Sequence, residues 1–331
     1  MPVTGRPLVA QTLKLTLAIP LAWLAGCGLG PPDVGPAQAG RPITLFVEPD
    51  AGPDAVVSLV AAARTSVWME MYLLTDARAI GALVDRARAG CDVRVILEPS
   101  PYLSEGANQS AFDALATAGA RVRWSTPRFT YTHAKALIVD HARLAVLTLN
   151  LTGAGLGGNR EYAAVDDDAA DIAAAEAVFA ADETGDLAGA AGRVITSPDA
   201  SRAALTGLIE QAVESLAIEA EELTDPAIVA ALLAGRARGV AITLVWPGPP
   251  DAGAAFAKLA AAGATVRAVA NPAIHAKVVV ADARSLYLGS ANLTPTSLDR
   301  NRELGLRLDD AGVARRVAAT VADDAARGIS P

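Results

Sequence analysis

The chain has 331 residues, of which 52% are hydrophobic and only 4% aromatic, so its length supports a large core built mainly from Ala, Val and Leu. Its formal net charge is −8, which excludes a general electrostatic attraction to nucleic acids and other phosphate polymers. The length suits two domains or one large duplicated domain.

The N-terminus predicts an export signal. Arg6 and Lys14 precede an apolar run, residues 15–24, that is too short for an ordinary membrane span and is followed by two small residues and Cys27. An ending on cysteine resembles a bacterial lipoprotein signal, whose cysteine becomes the lipid-modified first residue after cleavage. Residues 1–27 therefore predict a lipoprotein-type signal peptide and an exported, membrane-anchored protein at the cell surface or in the periplasm. The alternative is an ordinary signal peptide, which would leave the protein secreted.

Residues 28–42 predict a flexible tether, because prolines are interspersed there with glycine and alanine. Cleavage before Cys27 would remove two basic residues and no acidic one, which leaves 26 basic and 36 acidic residues and a charge balance of −10. With Cys27 lipidated, the second cysteine, Cys91, has no disulfide partner and is predicted to be a small buried hydrophobic side chain.

From residue 43 onward, strand-like and helix-like segments alternate. In the first half they are, in chain order, strand 43–47, helix 55–63, strand 67–74, helix 76–89, strand 93–97, helix 109–118 and strand 122–124. The second half repeats this order, with Leu223-Thr224-Asp225 matching Leu74-Thr75-Asp76. We expect an α/β fold of two tandem α/β/α halves with mixed sheets, residues 43–190 and 191–331. A pseudo-twofold relation would place the active site at their interface.

One polar motif occurs twice at an offset of 142, without insertion or deletion. The repeated residues are His133 and His275, Lys135 and Lys277, Asp140 and Asp282, Asn150 and Asn292, and the Asn-Arg-Glu segments 159–161 and 301–303. The chain has only three histidines and four lysines, and the motif takes two of each. Each motif begins a strand, whose period of two points the histidine and the lysine toward one pocket.

The repeated residues suit the cleavage of a phosphodiester. That reaction needs a nucleophile, an acid for the leaving alcohol, and groups that neutralise the phosphoryl oxygens. Pseudo-twofold packing would supply two histidines as nucleophile and acid, and two lysines and two asparagines as cationic and neutral phosphate donors. The sequence offers no Cys/His cluster for a metal, and no metal or cofactor is predicted.

Two acidic pairs accompany the histidines. Glu161 and Glu303, each 28 residues after its histidine, are predicted to contact the far imidazole nitrogen and to fix its tautomer. Asp140 and Asp282 follow the histidines by seven residues, which is too far along an extended strand for the same contact. We expect these aspartates to orient loops or the lysines, with a structural component.

The duplicated His-x-Lys-(four residues)-Asp motif resembles that of the phospholipase D superfamily, and the resemblance covers residues 43 to 328. It implies a cleft between the halves, where one histidine forms a covalent phosphohistidine and the other protonates the leaving group and then activates water or an alcohol. Family precedent favours His133 as the nucleophile, although the sequence leaves both histidines open. The resemblance implies catalytic roles for His133, Lys135, Asp140, His275, Lys277 and Asp282, phosphate contacts from Asn150, Asn292, Thr148 and Ser290, and orienting roles for Glu161 and Glu303.

The resulting expectation is a monomeric phosphodiesterase that hydrolyses or transphosphatidylates phospholipid headgroups beside a membrane. Two alternatives keep the same fold: an exported metal-independent nuclease, which the acidic charge disfavours, and a cardiolipin-synthase-like phosphatidyltransferase. A third is a non-catalytic phosphate-binding protein, against which the two intact motifs argue.

The two copies differ just after the motif. The second reads Gly289-Ser290-Ala-Asn292, the family's usual form, whereas the first reads Leu147-Thr148-Leu-Asn150. A glycine would let the backbone come close, so Leu147 predicts unequal contributions of the two halves to phosphate binding. The glycines within residues 153–158 predict either a mobile rim or a surface loop without function. His141 is predicted to be a solvated turn residue.

Overall fold

Among the described residues the secondary structure begins at Thr44 and follows the predicted alternation of strands and helices. The computed structural model describes residues 1–2, 43–248 and 253–330, and every element named below belongs to the unit that begins at Ala39. The predicted signal, with Cys27, and the predicted tether lie outside the described residues, so they stay predictions. No described helix is both long and apolar enough to cross a membrane.

Each half contributes one sheet and its covering helices. The first half contains β1 (Thr44–Glu48), α1 (Asp54–Ala61), β2 (Ser66–Met71), α2 (Ala77–Arg88), β3 (Asp92–Leu97), α3 (Gln109–Thr117), β4 (Arg121–Trp124), β5 (Lys135–Val139), β6 (Arg143–Leu147), α4 (Gly153–Gly157), β7 (Asn159–Asp166) and α5 (Ala169–Thr184). The second half contains β8 (Val194–Ser197), α6 (Ser201–Gln211), β9 (Ser215–Ala220), α7 (Pro226–Ala237), β10 (Ala241–Trp246), α8 (Ala254–Ala261), β11 (Thr265–Ala268), β12 (Ala273–Ile274), β13 (Lys277–Ala281), β14 (Ser285–Gly289), α9 (Pro295–Asp299), β15 (Glu303–Leu308) and α10 (Ala311–Arg327).

The two sheets have the same strand order. The first runs β4-β3-β2-β5-β6-β7-β1 and the second runs β11-β10-β9-β13-β14-β15-β8. In each sheet the first three strands are parallel and the others pair antiparallel, so both sheets are mixed. The predicted α/β architecture of two tandem halves is therefore confirmed, and the duplication extends to the topology.

The two halves exchange backbone contacts just before each motif histidine. β12, which precedes His275, pairs in parallel with β7 of the first half, and Thr132, which precedes His133, forms the matching bridge to Arg302. The amide of His133 donates to the carbonyl of Arg302 at 2.8 Å, and that of His275 donates to the carbonyl of Arg160 at 3.3 Å. Each histidine is thus attached to the Asn-Arg-Glu segment of the other half.

Helices α5 and α10 pack against the sheets of their own halves, and their apolar residues join one core cluster that draws on both halves. α5 contributes Ile172, Val178 and Phe179, and α10 contributes Val313 and Val317. Val, Leu and Ala dominate this cluster, as the composition predicts. Because neither sheet covers this face by itself, burial of the shared core favours the association of the halves.

Buried ion pairs cross the same interface. The Arg302 guanidinium donates to both oxygens of Asp182 in α5, at 2.6 and 2.8 Å, and Arg160 donates to both oxygens of Asp324 in α10, at 2.6 and 3.3 Å. Each arginine belongs to one half and each aspartate to the other. Removing one partner of such a pair leaves a buried charge uncompensated, which typically costs about 3–5 kcal/mol. These pairs explain why the arginine of the Asn-Arg-Glu segment is repeated.

The motif aspartates have a structural role, and their predicted catalytic assignment needs correction. Asp140 and Asp282 follow the far ends of β5 and β13, about five residues or roughly 16 Å of strand from the lysines. The Asp140 carboxylate accepts hydrogen bonds from the backbone amides of residues 64–66, and Asp282 accepts them from residues 213–215. Both aspartates therefore attach a hairpin to the loop before the neighbouring strand.

Asp140→Asn should destabilise the protein in a pH-dependent manner. Burial alone would raise the pKa of Asp140, but the amides of residues 64–66 lower it to about 2. A carboxyl with a depressed folded-state pKa stabilises the fold above its ordinary pKa and loses that contribution as pH falls through the folded value. We expect a loss of about 1–2 kcal/mol at pH 7 that shrinks below pH 4.

Urea unfolding of both proteins at pH 7 and pH 3 measures this difference. Asp85→Asn, at an exposed position of α2, is the matched control and should leave stability unchanged at both pH values. An Asp140→Asn penalty that stays the same at pH 3 would contradict the assignment.

Candidate active site

A cavity of about 780 Å³ lies between the halves and is bordered by both motif histidines. From the first half it is lined by Tyr72, Tyr102, Tyr131, His133 and Asn150, and from the second by Glu221, Glu222, His275, Asn292, Arg300 and Asn301, among others. The pseudo-twofold arrangement therefore brings the two predicted histidines and the two predicted asparagines to one cavity.

The motif lysines are buried below the histidines. Lys135 begins β5 and Lys277 begins β13, and both have essentially no exposed surface. Each lysine Nζ donates to the carbonyl of the histidine two residues earlier, at 2.9 Å from Lys135 and 2.5 Å from Lys277. The ammonium groups are thus fixed beneath the cavity floor, where their charge acts on an anion in the cavity at a reduced dielectric constant.

The glutamates that hold the histidines come from the opposite halves. Nδ1 of His133 lies 2.9 and 3.1 Å from the two carboxylate oxygens of Glu303, and Nδ1 of His275 lies 2.5 Å from Oε1 of Glu161. The spacing of 28 residues suggested contacts within each half, so this part of the prediction needs correction. An acceptor at Nδ1 favours a proton there and directs Nε2 into the cavity.

Thr148 and Ser290 support the glutamates instead of binding phosphate. Both are fully buried, and each hydroxyl donates at 2.6 Å to the glutamate of its own half, Glu161 and Glu303 respectively. The predicted phosphate contacts of this pair therefore need correction, because neither hydroxyl borders the cavity. Asn301, the first residue of the second Asn-Arg-Glu segment, adds a hydrogen bond to Glu303 at 3.0 Å.

Asn150 and Asn292 remain suited to bind an anion. Both border the cavity, and the side-chain oxygen of each is buried without a hydrogen-bond partner. No hydrogen bond from the protein holds these amide oxygens. The same amide groups carry N–H donors, which can bind a phosphoryl oxygen. Within the described residues, no group of three His, Cys, Asp or Glu side chains is arranged to hold a metal ion.

Among the equivalent residues that differ between the two ends of the cavity, one pair that the sequence did not single out contacts the motif histidine and lysine on both sides. Tyr72 follows β2 and Glu221 follows β9, each just before the matched Leu-Thr-Asp segment. The Tyr72 ring lies 4.5 Å from the His133 ring and 5.1 Å from Nζ of Lys135. The Glu221 carboxylate lies 2.7 Å from Nζ of Lys277 and 3.5 Å from Nε2 of His275.

This difference changes the electrostatics of the two ends. Burial, followed by the charge of Lys277, lowers the pKa of Lys135 to about 7. Burial also lowers the pKa of His133, although Glu303 opposes the shift. Burial alone would raise the pKa of Glu221, but Lys277 and His275 hold it well below its usual range. The His275 end therefore carries an additional carboxylate, Glu221, where the His133 end has the uncharged Tyr72 ring.

Gly289 is a packing residue, so the predicted role of a glycine near phosphate needs correction. A Cβ at Gly289 would lie 2.5 Å from Cα of Gly305 and 2.7 Å from the Tyr287 hydroxyl. At the same places the first half has Leu147, Ala163 and Ala145. The second half thus exchanges a leucine and two alanines for two glycines and a tyrosine, which is a change of packing.

The glycine segment after Asn150 is neither a rim of the cavity nor an irregular loop. It forms α4, a short helix whose N-cap Thr152 accepts a hydrogen bond from the amide of Gly155. A Cβ at Gly155 would lie 2.2 Å from the carbonyl oxygen of Asn150. This glycine therefore permits close backbone packing beneath Asn150. His141 is exposed, as predicted, and contacts Glu176 at 2.6 Å outside the cavity.

Sequence comparison matches the chain twice to one family. A family model described as "Cardiolipin synthase, PLD-like domain" matches residues 56–183 and again residues 205–324, which is about three quarters of the chain. Comparison with curated proteins gives no match. The two matched segments correspond to the two structural halves.

Two solved structures share the fold over most of this chain, and a third, Nuc, matches part of it. A polyphosphate kinase from Porphyromonas gingivalis aligns over 85% of this chain with a TM-score of 0.68 and 17% identity, although the chain covers only 47% of that kinase. A phosphatidylserine synthase from Haemophilus influenzae Rd KW20 aligns over 86% of both chains, with a TM-score of 0.65 and 13% identity. Nuc, a phospholipase D family member from Salmonella typhimurium, aligns over 43% of this chain and 94% of its own length, at 23% identity and a TM-score of 0.40.

Gly289→Ala should destabilise the protein, because its Cβ would meet backbone atoms of Leu304 and Gly305 that have no room to move. Overpacking of this kind typically costs about 1–3 kcal/mol. Gly207→Ala in α6 is the matched control, since a Cβ there meets nothing within 4 Å and alanine favours a helix. Thermal unfolding of both variants measures the effect. Equal stability of the two variants would contradict the packing role.

Proposed function

The chain belongs to the phospholipase D superfamily, whose members act on phosphodiesters, and we propose that it transfers or hydrolyses the headgroup of a phospholipid through a phosphohistidine. One observation carries the proposal: two histidines, each held at Nδ1 by a glutamate of the other half, border a single cavity above two buried lysines. Neither half contains a complete set of these groups.

The chemistry follows from the charge distribution in the cavity. Lys135 and Lys277 neutralise the phosphoryl oxygens, and the amides of Asn150 and Asn292 add neutral donors. One histidine attacks phosphorus through Nε2 while the other donates a proton to the leaving alcohol. The second histidine, now neutral, then takes a proton from water or from an acceptor alcohol, whose oxygen bonds to phosphorus as the bond from phosphorus to the first histidine breaks. Hydrolysis and headgroup exchange thus differ only in the acceptor.

Three features support a lipid substrate. The description of the matched family model, "Cardiolipin synthase, PLD-like domain", names a phospholipid. Tyr102, which lines the cavity, is 68% exposed, and the next residue, Leu103, is 84% exposed. Two large, mainly apolar side chains are therefore exposed beside the site. Glu221 and Glu222 border the cavity, and two carboxylates there disfavour a long polyanion such as DNA.

The same proposal extends to the cellular location. We infer that Cys27 carries a lipid anchor and that residues 28–42 tether the enzyme, as a monomer, to the outer face of a membrane. An anchored enzyme would meet its phospholipid substrate without release from the surface. Mass spectrometry of the protein purified from the producing cell tests this, because an unmodified or absent Cys27 would contradict the anchor.

Turnover assays on the full chain in detergent micelles distinguish the candidate reactions. Phosphatidylcholine, cardiolipin and single-stranded DNA are each incubated with the protein in the presence of EDTA, with and without an added alcohol such as glycerol. Headgroup release or exchange supports the proposal. Cleavage of DNA alone would replace it with a nuclease, and turnover of none of the three would contradict it.

His133→Ala and His275→Ala should each abolish turnover, because one side chain cannot serve as both nucleophile and acid. We expect losses of at least about 10³-fold in kcat for either variant. His141→Ala is the matched control, since this third histidine is exposed outside the cavity and should leave kcat unchanged. Substantial activity in either motif variant would contradict the paired mechanism.

Anion affinity should fall as pH rises above 7. The pKa of the free Lys135 ammonium is lowered to about 7, so at higher pH the lysine must take up a proton before it can neutralise a bound anion. Dimethyl phosphate carries one charge across this range and isolates the effect of the protein. We expect its dissociation constant to rise up to about tenfold per pH unit between 7.5 and 9. A constant affinity in calorimetric titrations would contradict this.

A further inference from the structure

The duplicated site has several unmatched positions, Leu73 and Glu222 among them, and at one of these positions the side chains reach the motif histidine and lysine in both halves. Tyr72 and Glu221 occupy equivalent places after β2 and β9, and each side chain reaches the histidine and the lysine of its own half. The other cavity groups near phosphorus are matched pairs, namely the histidines, lysines and asparagines. Because Tyr72 and Glu221 contact the groups that react in each half, this position can divide the work between the two histidines.

We propose that Glu221 is a positioning residue that makes His275 the proton donor and leaves His133 as the nucleophile. The inference rests on the proposed phosphodiester reaction and deepens it, because that reaction by itself works equally well with the roles reversed.

The His275 ring has a carboxylate at each nitrogen. Glu161 lies 2.5 Å from Nδ1, and Glu221 lies 3.5 Å from Nε2. A ring that carries protons on both nitrogens suits two such neighbours, since each carboxylate then faces a positive N–H group. Glu221 also neutralises Lys277, with a distance of 2.7 Å between Oε2 and Nζ, so this lysine does not repel the imidazolium. The positions of the two carboxylates therefore suit His275 to the role of proton donor.

The His133 ring has a carboxylate at one nitrogen only. Glu303 accepts from Nδ1, while the other neighbour is the Tyr72 ring, whose hydroxyl accepts the amide hydrogen of Tyr102 at 2.6 Å and is thereby held in place. Tyr72 has no negative charge to offer, because burial raises its pKa to about 12. Burial and the nearby lysine charges keep the pKa of His133 low, so its Nε2 retains the lone pair that attack requires.

The first step then has a defined direction. The lone pair of His133 Nε2 forms a bond to phosphorus, the bond from phosphorus to the leaving oxygen breaks, and that oxygen takes the proton of His275 Nε2. In the second step neutral His275 takes a proton from water or an acceptor alcohol, whose oxygen bonds to phosphorus as the bond to His133 breaks. The leaving alcohol consequently lies at the Glu221 end of the cavity.

Glu221→Gln tests the role of the carboxylate, because glutamine keeps the size and removes the charge. We compare first-turnover release from phosphatidylcholine, whose leaving alcohol needs a proton, and from bis(p-nitrophenyl) phosphate, whose leaving group does not. We expect about 10- to 100-fold slower release from the phospholipid and less than about threefold change with the nitrophenyl ester. Equal losses on both substrates would overturn the proposal, since they would indicate a role in binding or folding.

Mapping the phosphorylated residue in the native protein provides a second test that needs no variant. Reaction with a phosphodiester labelled in its retained group, followed by alkaline quench and peptide mapping, should place the label on His133. A label on His275 would overturn the proposal. Glu210→Gln, at an exposed position of α6, is the control for the variant and should match the wild type on both substrates. A wild type that turns over neither diester would instead overturn the proposed function itself, and this inference with it.

Discussion

The contact between each histidine and a glutamate of the other half is the constraint on which the rest of the structure depends. It requires that the starts of β7 and β15 lie at the interface and that the segment before each histidine pairs with the opposite Asn-Arg-Glu segment. The arginine of that segment binds an aspartate in the far helix, while the glutamate binds the histidine. The Asn-Arg-Glu segment of each half therefore stabilises the interface through its arginine and positions a histidine through its glutamate. Neither half can form the site without the other.

This constraint explains why the two copies of the repeat have no insertion or deletion between the histidine and the glutamate. Between the histidine and the glutamate the chain forms two strands of a hairpin, a helical turn and a third strand, and an inserted residue would shift the glutamate away from the opposite ring. Thr148 and Ser290 also help to position the glutamates, because their hydroxyls donate hydrogen bonds to the carboxylates. Upstream of the motif the offset between the halves varies, and the loops there do not position the histidines.

The sequence was sufficient to predict the α/β halves, their order and the histidines at one cavity, because these follow from periodicity and from an exact repeat. The assignment of Asp140 and Thr148 to the site from the repeat was wrong. A repeated polar residue can bind backbone amides or a neighbouring carboxylate as readily as it binds a substrate. The crossed glutamates could not be predicted, because spacing along the chain does not distinguish the two partners across a pseudo-twofold axis. Tyr72 and Glu221 were missed because a search for matched residues overlooks positions where the copies differ.

A crystal structure of the protein with bound tungstate tests the central claim most directly. We predict one anion between Nε2 of His133 and Nε2 of His275, within reach of both motif lysines, with Glu303 on the first ring and Glu161 on the second. An anion held by one half alone, or a glutamate on the histidine of its own half, would contradict the crossed single site.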